Sequence, residues 1–187
     1  MPFVEMLTIN EERKDTEEIL EIIWRALEYF PRGLWEGINY LGNVDMKHDL
    51  KVKSKDAIYG AFIFNNLINK IRRVRELLQI RDLLLAVTRD PIIAVYHKFE
   101  AERLSRIANL IHDYVSNDVG VISLFRAEEH ETASKVVAHG LGHNRGLRHH
   151  TKPVDIMYEG LLEYSTLKNE RFCTDCIRKI LSEEPGS

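Results

Sequence analysis

The segment HGLGHNRGLRHH, residues 139–150, constrains the chain more than any other stretch. It sets four histidines and three glycines in twelve positions. Residues four apart share a face of an α-helix, so His139 and His143 can aim both imidazoles at one point. Gly146 stands where helices commonly end, because a left-handed residue there avoids a Cβ clash. A chain that turns at Gly146 can bring His149 back toward the first two rings. Three neutral imidazoles leave a fourth position open on a tetrahedral zinc, the arrangement of a reactive site and not a sealed one. Histidines that cluster by chance at a surface would explain HxxxH alone. They do not explain Gly146 and His149 at these offsets.

The remainder must fold around that segment. With 187 residues, 44% of them apolar and 29% charged, the chain can bury one domain-sized core. A formal charge of −3 gives no general attraction to nucleic acid. The basic run KIRRVR, Lys70–Arg75, reads as the solvated face of a helix. No apolar stretch approaches the ~20 residues that span a bilayer, so no membrane partner is expected. MPFVEMLTIN lacks the basic start and apolar run of a signal peptide, and a cytoplasmic location is the expectation. The two cysteines, Cys173 and Cys176, form one CxxC and exclude a disulfide framework.

Apolar spacing predicts alternating strands and helices. Phe3–Ile9 reads as a buried strand. A helix over Thr16–Phe30, capped by Asp15 or Thr16, places Ile19, Ile22, Ile23, Leu27 and Phe30 on one face. Ile38–Leu41 reads as a second strand, and residues 42–56 as loop with a little strand. A second helix fits Tyr59–Gln79. Leu83–Val87, Ile92–His97 and Gly120–Phe125 read as strands. Leu104, Ile107, Leu110, Ile111 and Tyr114 predict a helix over Phe99–Tyr114. Thr132 is the expected cap of a helix over Ala133–Asn144 that carries His139 and His143. The sum is an α/β fold, a mixed and mostly parallel sheet packed on helices.

HGLGHNRGLRH, with Met157 eight residues on, resembles the elongated HExxHxxGxxH motif and Met-turn of the metzincin zinc peptidases. More narrowly the chain resembles the archaemetzincins, over about residues 83–180, in LLLAVTRD, GVISLFR, VVAHGLGHNRGL and RFCTDCIRKIL. The resemblance implies a metzincin-like fold with residues 1–146 as an N-terminal subdomain ending in the active-site helix. Residues 147–187 would form a small C-terminal subdomain with the Met-turn, within one compact domain. It implies two zinc ions, one catalytic in type on His139, His143 and His149, and one structural. The family's structural zinc uses two cysteines after the third histidine and a downstream CxxC. Here His150 and Asp155 stand in place of the first two, beside Cys173 and Cys176, and both residue types are legitimate zinc ligands. A redox pair or two buried thiols is the alternative reading of the CxxC, but no thioredoxin-like βαβ context surrounds it and a structural metal is the expectation. An aspartate after Pro153 is also an ordinary turn residue.

One departure bears on activity. Where the motif has the glutamate that takes and returns the proton, this chain has Gly140. General acid–base assistance of that kind is worth ~10²–10⁴ in rate. Glu131 stands roughly 12 Å along the helix from His139, Glu128 and Glu129 suit a solvated helix start, and Tyr158 could reach the metal or simply pack. The expected function is a zinc metallopeptidase, a hydrolase in which a zinc-activated water attacks peptide bonds, with weak turnover. The alternative is a non-catalytic pseudo-peptidase whose zinc-bearing cleft binds a peptide. Ile92–His97 is the expected substrate-pairing strand in either case, and a Gly140→Glu change is expected to raise hydrolysis at constant zinc content.

Overall fold

The computed structural model describes residues 3–54, 56–100, 103–163 and 167–182. The first half of the chain lays down β1 (Phe3–Ile9), α1 (Arg13–Leu27), β2 (Gly37–Val44), β3 (Leu50–Ser54), β4 (Ala57–Ile63) and α2 (Phe64–Leu77). There follow β5 (Leu84–Thr88), β6 (Ile92–Glu100), β7 (Arg103–Ile111), β8 (Asp113–Val115), β9 (Val119–Ser123), α3 (His130–Asn144) and α4 (Thr174–Ser182).

A five-stranded sheet runs β2-β1-β5-β9-β8. Its first four strands are parallel, and β8 closes one edge antiparallel to β9. Every residue of β5 and β9 is buried, as a strand with helices over both faces requires. The two faces are read alternately along β5. Leu85 and Val87 join the core under α1 and α3, whereas Leu84 and Ala86 join the core under α2. The C-terminal segment adds Ile156, Met157, Leu161, Phe172, Cys176 and Ile180 to the first of these cores. A second sheet, β3-β4-β6-β7, joins β4 to β6 in parallel at Phe62–Ile92 and Ile63–Ile93 and ends in the β6–β7 hairpin.

Several local expectations change. The first helix starts at Arg13, so Thr16 lies inside it, buried, with its hydroxyl donating to the Glu12 carbonyl at 3.0 Å. The second helix starts at Phe64, and Tyr59–Ile63 belongs to β4. Part of the supposed loop is the end of β2 and the whole of β3. The helix expected over Phe99–Tyr114 does not form. Arg103–Ile111 is β7, paired with β6 from Glu100–Arg103 to Ile92–Ile111, and Asp113–Val115 is β8. Apolar residues three and four apart satisfy a helix on paper, but nine cross-strand pairings satisfy the backbone of the hairpin, and those partners are invisible to local spacing.

Candidate metal centre

Helix α3 is buried on nearly every side, with Val136–Gly142 withdrawn from solvent. It starts two residues before Thr132, with Glu129 in extended geometry at the cap and no side chain capping it. Its end is a Schellman turn. Gly146 has φ 69°, the Leu147 N–H donates to the Gly142 carbonyl at 3.0 Å, and the Gly146 N–H to the His143 carbonyl at 2.9 Å. That turn also orients a ring, because the Leu147 carbonyl accepts from His143 Nδ1 at 3.0 Å.

His139 is held in the same manner, Nδ1 donating to the Ile156 carbonyl at 2.9 Å. A carbonyl can only accept, so both protons sit on Nδ1 and both Nε2 lone pairs face inward. The Nε2 atoms of His139 and His143 are 3.0 Å apart, and those of His143 and His149 are 2.9 Å apart. No proton is available between the first pair, so their approach is favourable only toward a shared cation. Three nitrogens ~2.0–2.1 Å from a tetrahedral zinc stand about 3.3 Å from one another, close to this spacing. Burial, with the neighbouring His143 and His149, pushes the His139 imidazole down to about 3, so it stays neutral and ready to ligate. The donor set fits zinc.

His150, Asp155, Cys173 and Cys176 form a second group whose ligand atoms all lie within 4.8 Å of one another. His150 Nε2 is 3.3 Å from Cys176 Sγ, 3.8 Å from Cys173 Sγ and 3.4 Å from Asp155 Oδ1. Asp155 is wholly buried and also builds the turn, accepting the Met157 N–H at 2.9 Å and the Cys173 N–H at 2.7 Å. Burial and the adjacent Asp155 charge raise the Cys176 thiol. A dication in their midst reverses that and suits two thiols, an imidazole and a carboxylate, so this set fits zinc as well. Both cysteines are free thiols.

Residues 155–157 serve both groups in succession. Asp155 belongs to the second, the Ile156 carbonyl holds His139, and Met157 packs under α3. A Cβ on Gly142 would stand 2.7 Å from Met157 Sδ, which explains the glycine there despite a helix cost of ~1 kcal/mol. A Cβ on Gly140 would stand 2.9 Å from Val115 Cγ2 and 3.3 Å from Asp113 Cβ, so β8 presses on the helix at that residue.

The trihistidine group opens on a cavity of about 630 Å³, also lined by Asp113, His112 and Arg126. Asp113 is half-buried, and burial lifts its carboxyl to about 6 against the pull of His143 and His149. His112 has a buried Nδ1 with no hydrogen-bond partner, and burial beside Arg126 lowers it to about 4. The sequence reading missed these residues because they fell inside the supposed helix. Period-two alternation was the available signal. Asp113 and Val115 face α3, while Tyr114 turns the other way against Phe64, ring centroids 4.9 Å apart.

The remaining candidates lie elsewhere. Glu131 pairs with Lys135 at 2.8 Å, and Glu128 and Glu129 line a different cavity. Tyr158 is buried with its ring over Gly160 and is not among the residues lining the trihistidine cavity. Ile92–His97 pairs with β7 on one side and with β4 only at Ile92 and Ile93 on the other, and Ala94 and Tyr96 reach the cavity; β8 is the edge strand of the five-stranded sheet beside α3.

No protein-family model matches the sequence, and no curated protein matches it significantly. Solved structures do match the fold. The archaemetzincin of Methanopyrus kandleri superposes with a TM-score of 0.62 at 18% identity, covering 96% of this chain and 94% of that one. The archaemetzincin of Archaeoglobus fulgidus gives 0.56 at 16% identity, covering 95% and 99%. A zinc-dependent peptidase of Methanocorpusculum labreanum gives 0.57 at 14% identity, covering 94% and 99%. The chain therefore has the fold of the archaemetzincins, a mixed α/β sheet packed with helices.

Proposed function

We propose that the chain is a zinc metallopeptidase of archaemetzincin type that accepts an extended peptide in the cavity beside α3. The observation that carries this reading is the convergence of three Nε2 atoms, two fixed by backbone carbonyls, at the wall of a cavity of about 630 Å³. Zinc bound there acidifies water and polarises a carbonyl. The second ion, on His150, Asp155, Cys173 and Cys176, is structural and ties the segment after α3 to α4. Met157 is the Met-turn residue, packed beneath the helix that presents His139 and His143. The open edge of β8 suits pairing with substrate backbone. The cytoplasm, where thiols stay reduced, suits the cysteine pair.

Zinc content after exhaustive dialysis, followed by hydrolysis of an unstructured peptide, tests the proposal. Two equivalents of zinc and measurable cleavage, both reduced in His143→Ala, are expected. A chain that retains one zinc, unaffected by His143→Ala and lost in Cys173→Ala, would sink the trihistidine site. Gly140 favours a second reading, a pseudo-peptidase that holds zinc and peptide without cleaving. It predicts full zinc loading and peptide binding with no turnover.

A further inference from the structure

The place vacated at Gly140 is not empty. A Cβ built there would lie 3.3 Å from Asp113 Cβ and 3.5 Å from Asp113 Oδ2. A glutamate at that position carries its carboxyl only two carbon–carbon bonds beyond its Cβ, into the volume where the Asp113 carboxylate stands. We infer that Asp113, reaching in from β8, is the acid–base carboxylate of this site, and that Gly140 is the room it requires. This rests on the peptidase reading of the trihistidine group.

Three features of the geometry carry the assignment. Asp113 lines the same cavity as His139, His143 and His149. It does not join the group whose ligand atoms all lie within 4.8 Å, so it stands beside the metal position and is not a fourth ligand. Among the described residues no donor hydrogen-bonds its carboxylate, so its oxygens are free to meet a water or a substrate N–H. The close approach of β8 is built in, since Val115 on the same strand face would stand 2.9 Å from a Cβ at position 140. Helix glycine and strand β8 thus depend on one another sterically, with Val115 setting the tightest contact and Asp113 Cβ the next.

The chemistry balances. As the water oxygen bonds to the carbonyl carbon, the Asp113 carboxylate takes one of the water's protons. When the C–N bond breaks, with its electron pair leaving on nitrogen, Asp113 delivers that proton to the departing amine. The carboxylate is regenerated, and no oxidant or reductant is involved.

The test uses the zinc-loaded full chain. Asp113→Asn is nearly isosteric and is expected to lower kcat/KM for an unstructured peptide ~10²-fold or more, with zinc content unchanged. A readout independent of turnover is the affinity for acetohydroxamic acid, whose acidic proton a neighbouring carboxylate accepts. Calorimetry is expected to show roughly tenfold or greater weakening in Asp113→Asn. Formate added to Asp113→Gly is expected to restore part of the hydrolysis, which a merely structural role for Asp113 would not allow. If Asp113→Asn cleaves and binds the hydroxamate like the parent chain, the assignment is overturned while the peptidase reading stands. If Asp113→Asn loses zinc in step with activity, Asp113 is a ligand and the assignment is again overturned. A zinc-loaded parent chain that neither cleaves nor binds acetohydroxamic acid overturns the peptidase reading itself, and the inference with it.

Discussion

The two groups that could hold a metal meet in the chain at His149 and His150 and are built on opposite principles. The trihistidine group uses three neutral donors, grades from buried His139 to exposed His149, and faces a cavity. The His150–Asp155–Cys173–Cys176 group combines an imidazole with a carboxylate and two thiols that turn anionic on a metal, and Asp155 at its heart is fully buried. Neutral ligands leave most of the charge on a dication to act on something else. Anionic ligands consume that charge in holding segments together. The same metal can thus be a reagent in one place and a crosslink in the other, and the donor set decides which.

The largest expected effect separates the two roles. Cys176 is buried in the core beside Phe172 and Ile180 with its sulfur 3.3 Å from His150 Nε2, so on the proposed reading Cys176→Ala removes a ligand and the contact that ties α4 to the segment after α3. Thermal unfolding of the zinc-loaded protein is expected to fall by roughly 10 °C or more. His143→Ala is expected to cost a few degrees while losing the other zinc equivalent. Equal losses in the two variants would break the distinction between crosslink and reagent.

The two glycines of α3 sharpen the same contrast at about 1–3 kcal/mol each, the usual cost of overpacking. Gly142→Ala drives a Cβ to 2.7 Å from Met157 Sδ, and denaturant titration is expected to show that Met157→Ala recovers part of the loss. Gly140→Glu meets Val115 and sets a second carboxylate against Asp113. The gain in hydrolysis expected from sequence alone is therefore not expected of this single change. In an Asp113→Gly background the same glutamate keeps the contact with Val115 but no longer meets a second carboxylate, and hydrolysis is expected to rise above that of Asp113→Gly. A single Gly140→Glu change that speeds cleavage without destabilising the fold would show β8 to be far more yielding than its packing implies.

What could be read in the sequence follows from where each partner lies. The spacing of His139, His143, Gly146 and His149 is local to one helix and its terminating turn, so the convergence of the rings was legible. His150, Asp155, Cys173 and Cys176 were found through the resemblance, since nothing local joins residues 150 and 176. Asp113 was hidden by an error of period. Leu104, Ile107, Leu110 and Ile111 suit a helix, but Arg103–Ile111 finds its hydrogen bonds on β6 and the chain then turns into β8. Treated as helix, residue 113 has no relation to residue 140. In a strand two residues from Val115, it shares the face that packs on α3.

The smallest expected effect concerns protons on the metal-free protein. Burial lowers His139 to about 3. The unfolded chain then binds a proton near pH 6.5 that the folded chain refuses, so stability is full above 6.5 and declines as pH falls below it. By pH 5.5 this amounts to about 1.4 kcal/mol for His139. His112, lowered to about 4, adds to the decline in the same direction. Asp113 works the other way. With its carboxyl raised to about 6, the folded state takes up a proton between that value and the ordinary aspartate range, so acid favours folding there. Denaturant midpoints of the zinc-free chain at pH 7.5 and 5.5 are expected to fall toward acid, and to fall more steeply in Asp113→Asn, which lacks the opposing uptake. Identical slopes in the two proteins would show that the Asp113 carboxyl is not perturbed by its place between β8 and the trihistidine rings. Zinc is expected to keep the decline toward acid and to steepen it, because ligated imidazoles are proton-free in the folded state alone and protons compete with the metal for them.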